Sequence, residues 1–316
     1  MKTFFCDDNE GTSEEESDWH VLLYGMPRIK NTIILAPGLS IKPLDSPLSV
    51  FDLASAGVAG FREWAMLEPF AHLCDSEIET TSDSAVLPGY DTLNRAWLAI
   101  SLLILKGYST TLGVAYNSYS WSRVAGYKKR TLEGIINTDS ITEGELPNFK
   151  GGLLDVHRQF FMTGEYRKNF LNQEDIDWIS NNYETFNKFA AESKNFRLAL
   201  ESAIDWRYLN NSRMAIASLW AGIEAVIGIS SELNHRISLY CSSLLTERGQ
   251  ARKEFFDKVK KLYIMRSKAV HGDSLEEGVL VGAMQDSYEL LNKLLLLSIE
   301  KGHILGQDDF DHAVFY

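Results

Sequence analysis

Hydrophobic and polar positions follow one kind of pattern up to about residue 161 and another beyond it. The first part is mixed. Runs at 20–24 and 32–35 favour β-strands, and the second closes on Pro37-Gly38, a turn-forming pair. Residues 51–73 and 92–105 have the length and apolar density of helices. The stretch 110–127 interleaves Gly, Ser and Asn with β-branched and aromatic residues and predicts strands and turns; 137–150, rich in turn formers, predicts a loop. Together these predict an α+β domain over 19–165, of unknown role (sensor or regulator).

From Asn172 onward the period is helical. Asn172 suits an N-cap, with Glu174, Asp175 and Asp177 where negative charge is favoured by the helix dipole. Windows at 196–209, 212–227, 233–245, 252–270 and 279–299 each repeat apolar residues at three- and four-residue spacing. They break at Asn210-Asn211, Gly228, Gly249, Gly272 and Gly302, residues that stop helices, and no proline follows Pro147. Helices joined by short loops without strand signals predict an all-α bundle over 170–302. The fold class is therefore an α+β domain followed by an all-α bundle, mainly α overall.

Composition alters this picture in three places. The 45% of hydrophobic residues supports ordinary globular cores, and 316 residues suffice for two of them. The net charge of −12 argues against a broad basic face that coats nucleic acid, but half of the excess lies in residues 1–18, an acidic segment expected to be a disordered tail. Asp308, Asp309, Asp311 and His312 lie in 303–316, expected to be a flexible C-terminal tail; no upstream spacing matches them to form a metal site. Cys6, Cys74 and Cys241 fit neither a disulfide framework nor a zinc motif and suit reduced thiols. There is no basic-then-apolar leader, and the longest apolar run, 96–105, is shorter than the ~20 residues of a membrane span. A cytoplasmic protein without membrane contact is expected.

The candidate chemistry lies in the helix that ends at Gly272. Over 247–271, Arg248, Arg252, Lys253, Lys258, Lys260, Lys261, Arg266 and Lys268 outnumber Glu247, Glu254 and Asp257, reversing the sign of the whole chain. Its apolar stripe runs Phe255, Val259, Leu262 and Val270, and Arg266 occupies the position where another core residue belongs. A permanent charge on such a seam must be paired or line a cleft. His271 follows five residues later, about 140° further round an ideal helix, so the two meet within one chain only if the helix frays before Gly272. Ser267, four residues before His271, shares its face.

The segment Leu262-Tyr263-x-x-Arg266-Ser267-x-x-Val270-His271-Gly272 resembles the signature of the Apea-like branch of the HEPN superfamily, in which an Arg and a His stand four to six residues apart. Ala221-Gly222-Ile223-Glu224-Ala225-Val226-Ile227-Gly228 resembles the acidic position of that family within an apolar helix, and the helix opening Asn234-His235-Arg236-Ile237 resembles the one that follows it. The resemblance covers about 196–299. It implies a bundle that dimerises so that the Arg–His pairs meet in one cleft, and a metal-independent endoribonuclease of the kind used as a toxin or in anti-phage defence. In that implication Arg266 and His271 are catalytic, Ser267 and Glu224 support or orient them, and Lys258, Lys261 and Lys268 bind RNA, with tRNA or mRNA as substrate. A protein partner or phage-derived trigger would act at the N-terminal domain. Two positions depart from the family pattern: Ser267 stands where many nucleolytic members carry an amide, and Asp273 where some carry a modifiable Tyr.

A different class of function is a non-catalytic dimerisation or interaction module. In it Arg266 pairs with Glu224 and His271 caps a helix C-terminus, where a cation is favoured. Tyr116, Tyr119, Trp121 and Tyr127 beside Lys128, Lys129 and Arg130 suit either half-buried strands next to a solvated turn or a clamp for single-stranded nucleic acid. No phosphate-binding glycine loop, nucleophile elbow or dinucleotide fingerprint occurs, and neither cofactor nor metal is expected.

Overall fold

The computed structural model describes residues 18–55, 68, 71–81, 92–126, 151–153, 168–229 and 233–316. The chain divides into two compact units, 1–158 with 162–183, and 159–161 with 184–316. The acidic segment 1–17, most of the helix expected over 51–73, the loop expected over 137–150 and the basic residues 128–130 lie outside the described residues.

In the first unit the described strands form an antiparallel sheet in the order β2-β3-β4-β1-β5-β6. These are β1 (Trp19–Tyr24), β2 (Ile33–Ala36), β3 (Leu39–Pro43), β4 (Ser76–Thr80), β5 (Leu112–Asn117) and β6 (Gly151–Leu153). The strands expected at 20–24 and 32–35 are β1 and β2, and the β2–β3 turn holds Gly38 at φ +67°, a left-handed conformation that favours glycine. A short helix α1 (Val50–Ser55) precedes β4, and α2 (Thr92–Leu105) packs across β1, β4 and β5.

Register sets the polar face of this sheet. His20 lies opposite Glu79, and Leu22 opposite Glu77. Glu77 is 1% exposed, yet it is not stranded. Its carboxylate accepts from Ser120 Oγ at 2.7 Å, from the Trp121 backbone N–H at 2.6 Å, and is 3.3 Å from His20 Nδ1. Trp121, fully buried, donates its indole N–H to the His20 carbonyl at 2.9 Å. A buried carboxylate supplied with donors in this way pins the turn after β5 to the strands β1 and β4.

Helix α3 (Gln173–Glu192) crosses the division between the units, which falls at residue 183 and not ahead of the helix at 165–170, as the helical period alone suggested. The reason is polar anchoring of its first half. Asn172 caps it as expected, its Oδ1 accepting from the Asp175 N–H at 2.7 Å. Asp175 accepts from Tyr108 Oη at 2.7 Å and Lys168 Nζ at 2.6 Å, and Lys106 Nζ is 3.5 Å away. Further along, Tyr183 Oη donates to the Arg95 carbonyl at 2.9 Å.

The second unit is a helical bundle: α4 (Lys194–Asp205), α5 (Ser212–Ile227), α6 (Leu233–Leu245), α7 (Gln250–His271), α8 (Glu277–Lys301) and α9 (Gln307–Phe315). Helix α5 is its centre, packed against α4, α7 and α8. The approach is closest at Gly222, where a Cβ would stand 2.9 Å from both Leu291 Cδ2 and Ser202 Cβ. Trp220, fully buried, donates to Ser287 Oγ at 3.0 Å, which in turn donates to the Ala283 carbonyl at 2.7 Å. The α+β, mainly α class is the one observed. No helix among the described residues is long and apolar enough to cross a membrane.

The end of the chain corrects one expectation. Residues 303–316 are not a flexible tail, because they contain α9. Phe310 is buried and stacks on Tyr240 with ring centroids 4.6 Å apart. Arg248 and Arg252 donate to the carbonyls of Val314 and Ala313 at 3.0 and 3.3 Å, and Asp309 accepts from the Gly306 N–H at 3.0 Å. Asp308 and Asp309 are first-turn residues of a helix, where the dipole favours them.

Burial pushes the Asp175 carboxyl up, but the hydrogen bonds from Lys168 and Tyr108 and the charges of Lys168 and Lys106 outweigh it, leaving the group below the usual carboxylate range. Its contribution is therefore fully present above about pH 4 and is lost as the pH falls through the depressed value. Asp175→Asn should lower stability by about 2 kcal/mol at neutral pH and flatten the acid limb of a stability–pH profile, as measured by urea unfolding across pH. An unchanged acid limb would show that the pair does not carry this linkage.

Candidate functional site

Helix α7 carries the candidate residues. Val259, Leu262 and Ala269 are buried along its inner side. The helix continues through His271 and ends at Gly272, which is left-handed at φ +83°. The N–H groups of Gly272 and Asp273 both turn back to the Lys268 carbonyl, the latter at 3.1 Å. The end is thus closed and not frayed, so the condition under which Arg266 and His271 would meet within one chain is not fulfilled in this conformation.

Arg266 does find Glu224. Its Nη2 lies 3.2 Å from Glu224 Oε1, with the two side chains 26% and 24% exposed. The guanidinium also lies over the Tyr263 ring, 5.7 Å from its centroid, so the side chain folds back toward the start of α7. Tyr263 in turn meets Trp220 edge-on at 5.2 Å. A continuous line of contacts therefore runs from Ser287 on α8 through Trp220 on α5 to Tyr263 and Arg266 on α7. The Arg–Glu pair is not saturated: Glu224 Oε1 and Arg266 Nε are shielded from solvent without a well-directed hydrogen bond among the described residues.

His271 is exposed and has no hydrogen-bond or ion-pair partner among the described residues. On this continuous helix it stands about 140° from Arg266, whose head points away from it. One chain in this conformation brings Arg266 to Glu224 and does not bring it to His271. Ser267, half-buried, stays on the His271 side as expected from their spacing. The three lysines named with the site separate from Arg266 as well. Lys258 is tied to Asp286 on α8 at 2.7 Å, and Lys261 and Lys268 are exposed about 140° and 160° round the helix from Arg266.

The arrangement also contains a residue that the sequence did not single out. Arg213, in the first turn of α5, sends its guanidinium to the C-terminus of α7. Nη1 donates to the Ala269 carbonyl at 3.1 Å and to that of Lys268 at 3.5 Å, and Nη2 to the Asp273 carbonyl at 2.6 Å. Asn211 caps α5, accepting from the N–H groups of Arg213 and Met214. A cation in the first turn of a helix opposes the dipole, and that mismatch was the available signal that Arg213 serves something outside its own helix.

Other chemistries find less support here. Burial pushes the Cys74 thiol up to about 12, with Asp75 adding to the effect, and burial pushes Cys241 up to about 12 as well, so neither is a ready thiolate nucleophile. Among the described residues no group of three or more His, Cys, Asp or Glu side chains is placed to hold a metal ion. Comparison of the chain with family models, curated proteins and solved structures gives no match.

Arg213→Ala should leave the Ala269 and Asp273 carbonyls to solvent and cost about 1–2 kcal/mol in chemical denaturation. Amide exchange at 270–273 should speed up well beyond the rest of α7. Exchange rising evenly along the helix would mean that the guanidinium does not lock this end.

Proposed function

We propose that this chain is a metal-independent endoribonuclease of the HEPN type. The observation that carries the reading is that one rigid, basic helix presents a half-buried arginine held by a carboxylate and, at its closed end, an exposed imidazole engaged by nothing else. His271 takes the proton of a ribose 2′-hydroxyl, a task suited to an imidazole near neutral pH. The 2′-oxygen attacks the adjacent phosphorus, the bond to the 5′-oxygen breaks, and that oxygen takes up a proton from solvent. The products are a 2′,3′-cyclic phosphate and a 5′-hydroxyl, and DNA is inert for want of the nucleophile. Arg266 balances charge developing on the phosphate, which a planar guanidinium does well.

Because Arg266 and His271 diverge within one chain, the reading includes a homodimer through the helical unit, in which one copy's arginine complements the other's histidine. The substrate is RNA, tRNA or mRNA, in the cytoplasm, and the role is that of a toxin or anti-phage effector. The N-terminal unit restrains the nuclease or senses a protein partner or phage-derived trigger.

A second reading is favoured by the Arg266–Glu224 contact: an arginine already paired inside a bundle is what a non-catalytic interaction module would also contain. The two separate in one experiment. Wild-type protein incubated with mixed RNA and tRNA in EDTA should leave cyclic-phosphate ends, and His271→Ala and Arg266→Ala should each lower the rate by about 100-fold or more while keeping the circular-dichroism spectrum. Cleavage that persists in both variants removes Arg266 and His271 as its source, and a wild-type protein that neither cuts RNA nor arrests growth on expression leaves the interaction module.

A further inference from the structure

The outer face of α7 carries a cationic track that ends at His271. Lys253, Lys260, Lys261, Lys268 and His271 are all exposed, opposite the buried Val259, Leu262 and Ala269. Lys253 and His271 are separated by about five full turns and so lie in line, with Lys260 within about 20° of that line. Lys261 and Lys268 form a parallel row beside it, again in register over about two turns. From residue 258 to 271 there is no carboxylate; Glu254 and Asp257 fall between Lys253 and Lys260, Asp257 exposed about 40° from the Lys253–His271 line, and acids resume past the helix, at Asp273. None of these four lysines has a salt-bridge partner among the described residues, whereas Lys258, on the flank toward α8, is bound to Asp286. Ile264, 43% exposed, interrupts the charges with an apolar surface on the same face.

We infer that this face binds a single-stranded segment of RNA, laid along α7 so that its backbone runs over Lys253, Lys260, Lys261 and Lys268 toward His271. The inference rests on the reading of the protein as one that acts on RNA, and it gives that reading a binding surface of about 27 Å on the side of the helix away from Glu224. A polyanion is the occupant because four unpaired ammonium groups stand on one face of a strongly acidic protein, a local reversal of charge that draws in a polyanion. An unpaired strand is the form because in-line attack by a 2′-hydroxyl needs a backbone free to reorient, and Ile264 offers a splayed base an apolar contact. Lys253 and Lys260 thereby become RNA-contacting residues, and Lys258 does not.

The test uses fluorescence anisotropy with the full chain and a labelled single-stranded 2′-O-methyl RNA, which has no nucleophile and cannot be cut. Substituting Lys253, Lys260, Lys261 and Lys268 together by glutamine should weaken binding by on the order of tenfold or more and lower the slope of log K against log salt by about 3. Lys258→Gln should leave affinity and slope as in wild type. A quadruple variant with wild-type affinity and slope, or wild-type protein that does not bind the oligonucleotide, overturns the assignment. Unmodified RNA run in parallel keeps the two readings apart. Lysine-dependent binding without cleavage supports this face and removes the nuclease, while cleavage by the quadruple variant at the wild-type KM removes the face and leaves the nuclease.

Discussion

The close approach of α5 to its neighbours is the constraint on which the helical unit depends. At Gly222 there is no room for a side chain between Leu291 of α8 and Ser202 of α4. Packing at that distance fixes the axial position of α5 against both helices, since a shift along the axis would drive Trp220 or Ile223, both fully buried, into occupied space. With α5 fixed, the residues on its other side are fixed also. Trp220 is held from behind by Ser287 and presents its ring to Tyr263, which supports the Arg266 guanidinium, and Glu224, one turn beyond Trp220, receives it. The position of a charged group on α7 is thus decided by the packing of two other helices.

The same helix governs the far end of α7. Arg213 lies in the first turn of α5, and its fork spans the carbonyls that Gly272 leaves open. Arg252 does similar work elsewhere, donating to the carbonyls of Ser243 in α6 and Thr246 just past it, and to Ala313 of α9. With Arg248, which reaches the Val314 carbonyl, three arginines bind helix ends together in this unit through backbone carbonyls, and none uses a carboxylate in those contacts. Such links persist whatever the protonation of acidic side chains, and planar forks suit them better than ammonium groups would.

The helices were plain in the sequence because their signals are local: apolar spacing of three and four, Asn172 as a cap, and Asn210-Asn211, Gly228, Gly272 and Gly302 as stops. α5 and α6 occur with the expected bounds, and α7 and α8 lie within two residues of theirs. α9 was hidden because three aspartates crowd its first five positions; what orders it is a distant ring, Tyr240, and no window of sequence reveals that. For the candidate site, the unusual placement of Arg266 was visible as a break in an apolar stripe, and its pairing with Glu224 was the natural reading of a lone acid in an apolar helix. Arg213 escaped notice because its partners are backbone groups, which have no side-chain identity to match. The direction of the Arg266 side chain was equally hidden, since spacing gives the angle around a helix but not the way a long side chain leans along it.

That lean has a kinetic meaning. In the observed conformer the guanidinium lies toward the start of α7 and the imidazole stands at its end, so a chain acting alone offers the two groups to different phosphates. Chemistry that needs both at one phosphate has two routes, and they differ in reaction order. If the guanidinium leaves Glu224 and swings toward His271, the rate is first order in protein at every concentration. If a second chain supplies the missing group, the rate rises with the square of protein concentration until pairing saturates and becomes linear above that point. Dilution of the protein at fixed RNA thus reads the direction of a single side chain.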